Sequence, residues 1–84
     1  MYLSPRRRRE FGIVWTRGRD PKGNLCWRSP RAVKMTITRE RATVWSYAWV
    51  VRDGSTAFFR TSRLRRAFKV AANHVVLRRL EVTG

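Results

Sequence analysis

The feature that most constrains the fold is the Asp53-Gly54 pair, which lies between two β-rich segments. Asp-Gly flanked by strand-forming residues is the strongest local signal for a tight hairpin, because glycine readily adopts the positive φ angle that such turns need. Residues 43–52 and 56–60 carry the β-branched and aromatic residues that are typical of strands. The pattern therefore predicts an antiparallel hairpin around this pair.

Three further segments have strand composition, at residues 11–17, 24–28 and 33–39. In the last of them Val33, Met35 and Ile37 alternate with polar residues, which is the period of a half-buried strand. Pro21 and Gly23 lie between the first two segments and predict a turn there. These segments therefore predict at least three more strands.

The spacing of the apolar residues changes after residue 60, from the alternation of a strand to the period of a helix. Leu64, Phe68, Ala71 and Val75 are spaced as one apolar stripe of a helix, which we expect over about residues 62–73. Ser62 is a suitable N-cap for that helix. Residues 76–82 admit two interpretations, a last strand or a continuation of the helix; the clustered β-branched residues favour the strand.

Together these elements predict an α+β fold, a mostly antiparallel sheet of four to six strands with one helix packed on it. At 84 residues the chain is long enough for one domain, which we expect over residues 10–84. Residues 1–9 contain Pro5 and four consecutive arginines, so we predict a flexible basic arm before the domain.

Part of the chain resembles one family of DNA-binding domains, the AP2-type and integrase arm-binding domains. The resemblance covers roughly residues 43–73 and is carried by the Asp-Gly hairpin and by residues of common types after it: Phe59, Thr61, Ala67, Phe68, Ala71 and Ala72. It needs a shift of one residue in the helix and lacks the other landmarks of that family. It implies a three-stranded sheet that is packed on one helix and reads DNA.

The charge of the chain is strongly unbalanced. Lysine and arginine number 20 against 5 acidic residues, which gives a net charge of +15. Such an excess opposes compaction through self-repulsion, so it indicates a polyanionic partner. Most of the cations are arginines, and a guanidinium presents a planar fork that suits phosphate. We therefore expect a nucleic-acid-binding protein, with DNA and RNA both open.

The predicted nucleic-acid contacts are cations in the arm, on the outer face of the helix and near its end. They are Arg6, Arg7, Arg8, Arg9, Arg60, Arg63, Arg65, Arg66, Lys69, Arg78 and Arg79. The span from residue 60 to residue 79 contains no acidic residue, whereas solvated helix faces usually mix both signs. This absence favours a binding face over an ordinary solvated one.

A run of aromatic residues in the long strand has two interpretations. Trp45, Tyr47 and Trp49 share one face with Val51, while small residues occupy the other. Exposed aromatics would stack on bases or form a hot spot for a protein, with the small residues facing the helix. Buried aromatics would instead fill the core of a small domain, and this interpretation is the favoured one.

Catalysis, metals and cofactors find no support in the sequence. His74 is the only histidine, Cys26 is the only cysteine, and the acidic residues are scattered. We therefore predict no enzyme, no metal site and no cofactor. No apolar run reaches the roughly 20 residues of a membrane span, so we expect no membrane partner and a cytoplasmic location.

A second class of function is also open. A small basic domain of this kind suits a protein-interaction or inhibitor module, such as those that phages encode. It would bind an acidic surface of a host complex that processes nucleic acid or acts in defence, through an aromatic hot spot ringed by arginine.

Overall fold

In the part of the chain that the structure describes, a six-stranded antiparallel sheet has one helix packed against one of its faces. The computed structural model describes residues 6–29 and 32–83, and side chains for all of these except 32, 33 and 78–83. The elements are β1 (Arg7–Glu10), β2 (Ile13–Arg19), β3 (Leu25–Ser29), β4 (Ala32–Thr43), β5 (Ser46–Asp53), β6 (Thr56–Thr61) and α1 (Leu64–Thr83). Each strand pairs with the next one along the chain. The predicted α+β class is confirmed.

The core lies between the sheet and α1. Trp27, Ile37 and Val51 face the helix side by side, because the register pairs them across β3, β4 and β5. The Phe68 ring meets them from the helix, with its centroid 5.5 Å from that of Trp15 and 5.4 Å from that of Trp27. All five side chains are buried. The apolar stripe predicted for the helix is therefore confirmed as its buried face.

The predicted strand over residues 76–82 is wrong, because α1 continues to Thr83. Each added helical residue gains a backbone hydrogen bond without a new nucleation step, and this outweighs the weak strand preference of valine. The start of the helix also differs from the prediction. The Arg63 N–H donates to Thr61 Oγ1 at 3.2 Å, and the Ala67 N–H donates to the Arg63 carbonyl. Arg63, not Ser62, therefore occupies the N-cap position, and the Thr61 hydroxyl accepts the N–H of that residue.

The prediction of a flexible arm is wrong for residues 7–9, while residues 1–5 lie outside the described residues. Arg7–Glu10 form β1, in register with β2. Arg8 points toward the helix, with its guanidinium carbon 5.3 Å from the Phe68 ring centroid and its Nη2 donating to Glu10 Oε1 at 2.7 Å. Alternation of a strand places consecutive arginines on opposite faces, which reduces their mutual repulsion.

The hairpin turns lie slightly away from their predicted places. The turn near Asp53 is formed by Gly54 and Ser55, with Asp53 paired to Thr56. The predicted strand over residues 11–17 begins later, because Phe11 and Gly12 form a turn. Likewise the strand predicted over residues 43–52 begins at Ser46. Strands β4, β5 and β6 are thus part of a larger sheet than the three-stranded one that the integrase resemblance implies.

A bulge in β6 joins the last hairpin to the helix. Val51 pairs with Phe59 and Arg52 with Ala57, so Phe58 is an extra residue in the ladder. The Phe58 ring stacks on His74 with a centroid distance of 4.4 Å, and His74 Nε2 lies 3.1 Å from Asp53 Oδ2. The middle of α1 is therefore held to the β5–β6 hairpin by a ring contact and a polar contact.

A cross-strand ion pair predicts a pH dependence of stability. The Arg52 guanidinium donates a hydrogen bond to the Glu40 carboxylate and lowers the pKa of that carboxyl below its ordinary value of 4.5. Folding lowers this pKa, so the ion pair stabilises the folded protein fully at pH values above the unfolded-state pKa. The stabilisation is lost as the pH falls through the folded-state pKa. We expect Glu40→Gln to lower the free energy of unfolding by about 0.5 kcal/mol at about pH 7.

Urea unfolding of both proteins between about pH 7 and about pH 3 measures this difference, which should become smaller toward the acid end. A difference that stays constant across this range would contradict an ionic origin.

Candidate nucleic-acid interface

Three cations of α1 and the arginine just before it line one groove on the surface. Arg63, Arg65, Arg66 and Lys69 border a depression of about 540 Å³. Its remaining walls are apolar or neutral: Phe11, Val70 and Asn73. The helical period places these side chains outside the buried stripe, because Ala67, Phe68 and Ala71 take the side that packs on the sheet. The predicted helix face therefore exists as a single concave basic surface, which we call the helix groove.

Among the side chains that the structure describes, none that lines the helix groove is acidic. In the part of the chain that the structure describes, the acidic side chains have partners elsewhere. Glu10 bonds Arg8, Glu40 bonds Arg52, Asp53 contacts His74, and Asp20 accepts the Lys22 and Asn24 backbone N–H groups within its own turn. Among the same residues no salt bridge involves a cation of the groove. Their charge is therefore available to an external anion.

Phe11 forms one wall of the groove in an unusual backbone conformation. Its φ angle is 53°, in the left-handed region that large side chains seldom adopt, and Gly12 follows at 80°. Positive φ at both turn residues is the geometry of a tight hairpin that normally carries Asn-Gly. The ring is 45% exposed, and the Arg65 guanidinium carbon lies 5.9 Å from its centroid. The turn thus holds an aromatic ring beside the cations.

The sheet separates several of the predicted contact residues from the helix groove. Arg60 pairs with Val50 and therefore lies on the face of the sheet away from the helix. Arg7 and Arg9 share that face, because Arg8 between them points toward the helix. Arg6 is exposed at the start of β1, where its carbonyl accepts the Arg17 N–H. The side chains of Arg78 and Arg79 lie outside the described part of the structure.

The face away from the helix carries polar and basic residues that the sequence analysis did not single out. A cleft of about 430 Å³ lies there, and its walls include Lys22, Arg28, Thr36, Thr38 and Arg52. Unlike the helix groove, this cleft is also lined by Asp20 and Glu40. Strand alternation could have predicted this shared face, since Arg28, Thr36 and Arg52 are paired with one another across three strands. The mixed charge makes this face a weaker site for a polyanion.

The three candidate stacking aromatics have three different environments. Trp49 is half-buried and packs against the core with Val51, so the core interpretation is confirmed at that end of the strand. Tyr47 is 51% exposed and Trp45 is 94% exposed. The alternative in which small residues face the helix is wrong, because Val50 lies on the opposite face from Val51. Exposure therefore increases toward the turn between β4 and β5.

Within the described residues, no helix is both long enough and apolar enough to cross a membrane. Comparison with protein-family models, with curated proteins and with solved structures finds no match to this chain.

Proposed function

We propose that this protein binds nucleic acid without catalysis, and that the helix groove is its phosphate-binding surface. The observation that carries the proposal is the gathering of Arg63, Arg65, Arg66 and Lys69 around one depression whose described lining contains no carboxylate. Like charges held this close repel one another, and a phosphate backbone relieves that repulsion.

The chemistry of the groove suits a backbone with repeated negative charges. Arginine side chains offer paired N–H donors to phosphate oxygens, and lysine adds a mobile point charge. Each phosphate that is neutralised releases condensed counterions, so binding gains free energy from the entropy of the released salt. This mode needs no base-specific contact, and the groove by itself therefore predicts affinity more than sequence specificity.

The proposal predicts a steep dependence of affinity on salt. If the four groove cations each neutralise one phosphate, the logarithm of the association constant falls against the logarithm of salt concentration with a slope of about −3 to −4. The measurement is fluorescence anisotropy with labelled single- and double-stranded DNA and RNA, using nuclease-treated protein between about 50 and about 500 mM salt. Further contacts outside the groove make the slope steeper.

A slope near zero with all four ligands would contradict the proposal. An acidic protein surface would then become the partner to test, since the same cations complement it. The same titration identifies the preferred nucleic acid. High salt weakens the electrostatic part of binding, so the ligand that still binds most tightly there is the one that makes additional, non-electrostatic contacts.

A further inference from the structure

The hairpin of β4 and β5 extends beyond both of its neighbours. The pairing of β3 with β4 ends at Thr38, and the pairing of β6 with β5 ends at Trp49. Past these points, among the residues that the structure describes, β4 and β5 pair only with each other, up to Thr43 and Ser46. Residues 39–48 therefore form a two-stranded ribbon that projects from the sheet, which we call the projecting ribbon.

The tip of the projecting ribbon carries a tryptophan whose side chain is exposed and does not pack in the core. Trp45 is 94% exposed and Val44 is 72% exposed, whereas Trp15 is fully buried. The turn is held by its own polar groups, since Trp45 N–H donates to Thr43 Oγ1 at 3.2 Å and the Thr43 and Ser46 hydroxyls lie 2.8 Å apart. Both faces of the indole are thus open on a turn with a defined backbone.

Cations accompany the aromatic rings of the ribbon. The guanidinium carbons of Arg39 and Arg41 lie 4.8 Å and 5.9 Å from the centroid of the Tyr47 ring. The one acidic residue of the ribbon, Glu40, is bonded to Arg52. The ribbon therefore combines flat apolar rings with positive charge and has no free carboxylate. A nucleotide, which joins a flat base to a phosphate, has the complementary chemistry.

We propose that Trp45 stacks on an unpaired nucleobase while Arg39 and Arg41 contact the phosphates beside it. This inference rests on the proposed function and adds a base contact to the phosphate contacts of the helix groove. An unpaired base offers a free ring face, whereas a base inside a duplex is already stacked on both sides and has to be unstacked first. The ribbon therefore favours single strands, loops and bulges over an intact duplex.

The test compares two single-stranded DNA ligands that carry the same number of phosphates. One is an ordinary oligonucleotide, and in the other the central nucleotides lack their bases. We expect the wild-type protein to bind the first about tenfold more tightly than the second, because stacking on one base contributes about that factor. Trp45→Ala should bind both ligands equally, with affinity near that of the wild type for the base-free strand.

Two control variants separate stacking from damage to the turn. Val44→Ala truncates the neighbouring exposed side chain and should keep the preference for bases, as should Trp45→Phe, which retains an aromatic ring. The salt slope of Trp45→Ala should equal that of the wild type, since no cation is removed. Thermal unfolding of all variants should be unchanged, because a side chain that is 94% exposed contributes little packing.

The outcomes distinguish this inference from the proposed function. A wild-type protein that binds both strands equally, with the expected salt slope, overturns the stacking role and leaves phosphate binding in place. The same holds if Trp45→Ala retains the preference for bases. A wild-type protein without a salt slope overturns the proposed function itself. In either case a hot spot for a protein partner becomes the explanation to test for the exposed tryptophan.

Discussion

Changing Arg63, Arg65 and Arg66 to Glu is expected to lower the affinity for nucleic acid by at least about 100-fold at about 100 mM salt. Three of the four cations of the helix groove are reversed by this change, and none of the described residues that line the groove carries a carboxylate. Each lost phosphate contact should also make the negative salt slope less steep by about 1, so three lost contacts reduce its magnitude by about 3. Anisotropy titrations at several salt concentrations measure both quantities.

The matched control reverses three exposed cations elsewhere. Arg19 and Lys22 lie at the β2–β3 turn and Lys34 lies on β4, away from the helix groove. Arg19→Glu, Lys22→Glu and Lys34→Glu together change the net charge by the same amount. We expect this control to lose affinity far less than the groove variant. Equal losses would show that total charge, not the groove, governs binding. A larger loss in the control would assign binding to the surface around the β2–β3 turn, where Lys22 lines the 430 Å³ cleft.

Phe68→Ala is expected to lower the free energy of unfolding by about 3–5 kcal/mol. Phe68 is fully buried, and its ring is in contact range of both Trp15 and Trp27 and of the Arg8 guanidinium. Truncation leaves a cavity between α1 and the sheet that rigid aromatic neighbours cannot fill. A domain of this size has a total stability of only about 5–10 kcal/mol, so the variant should lose much of it. Urea unfolding followed by far-UV circular dichroism measures the change.

Phe58→Ala supplies the comparison for this result. Phe58 is 37% exposed and stacks on His74 at the surface, so the same truncation should cost only about 1 kcal/mol. If both variants lost the same stability, the central position of Phe68 in the core would be contradicted. If Phe68→Ala did not fold at all, the thermal midpoint of the milder Phe68→Leu, reduced by several degrees, would test the same contact.

Periodicity in the sequence predicted the elements whose burial repeats regularly. The helix stripe from Leu64 to Val75 and the alternation of Met35 and Ile37 both identified the side that is buried. The hairpin near Asp53 was predicted for a local reason, since the glycine after it takes a φ of 62°. Each of these features depends on residues close together in the chain, and so a local pattern was enough.

The proposed helix groove was visible in the sequence only in part. The cluster of Arg63, Arg65, Arg66 and Lys69 follows from the helical period and from the lack of acids around it. Phe11 was not foreseen as a wall of the groove, because its hairpin carries a phenylalanine where Asn-Gly is the usual signal. Sequence proximity also grouped Arg60 with the helix, whereas strand alternation turns it to the other face.

Local sequence patterns were enough to predict the class of the fold and the buried stripe of the helix, and composition alone gives the excess of positive charge. Contacts between distant parts of the chain decided the conformation of segments whose local preferences for strand, helix or turn are nearly equal. The Arg7–Glu10 segment became a strand because β2 offered backbone partners and the core offered rings to Arg8. Exposure of Trp45 depends on where β3 and β6 stop pairing, and therefore on contacts between residues far apart in the chain. Such contacts leave no periodic pattern, so only the folded structure reveals them.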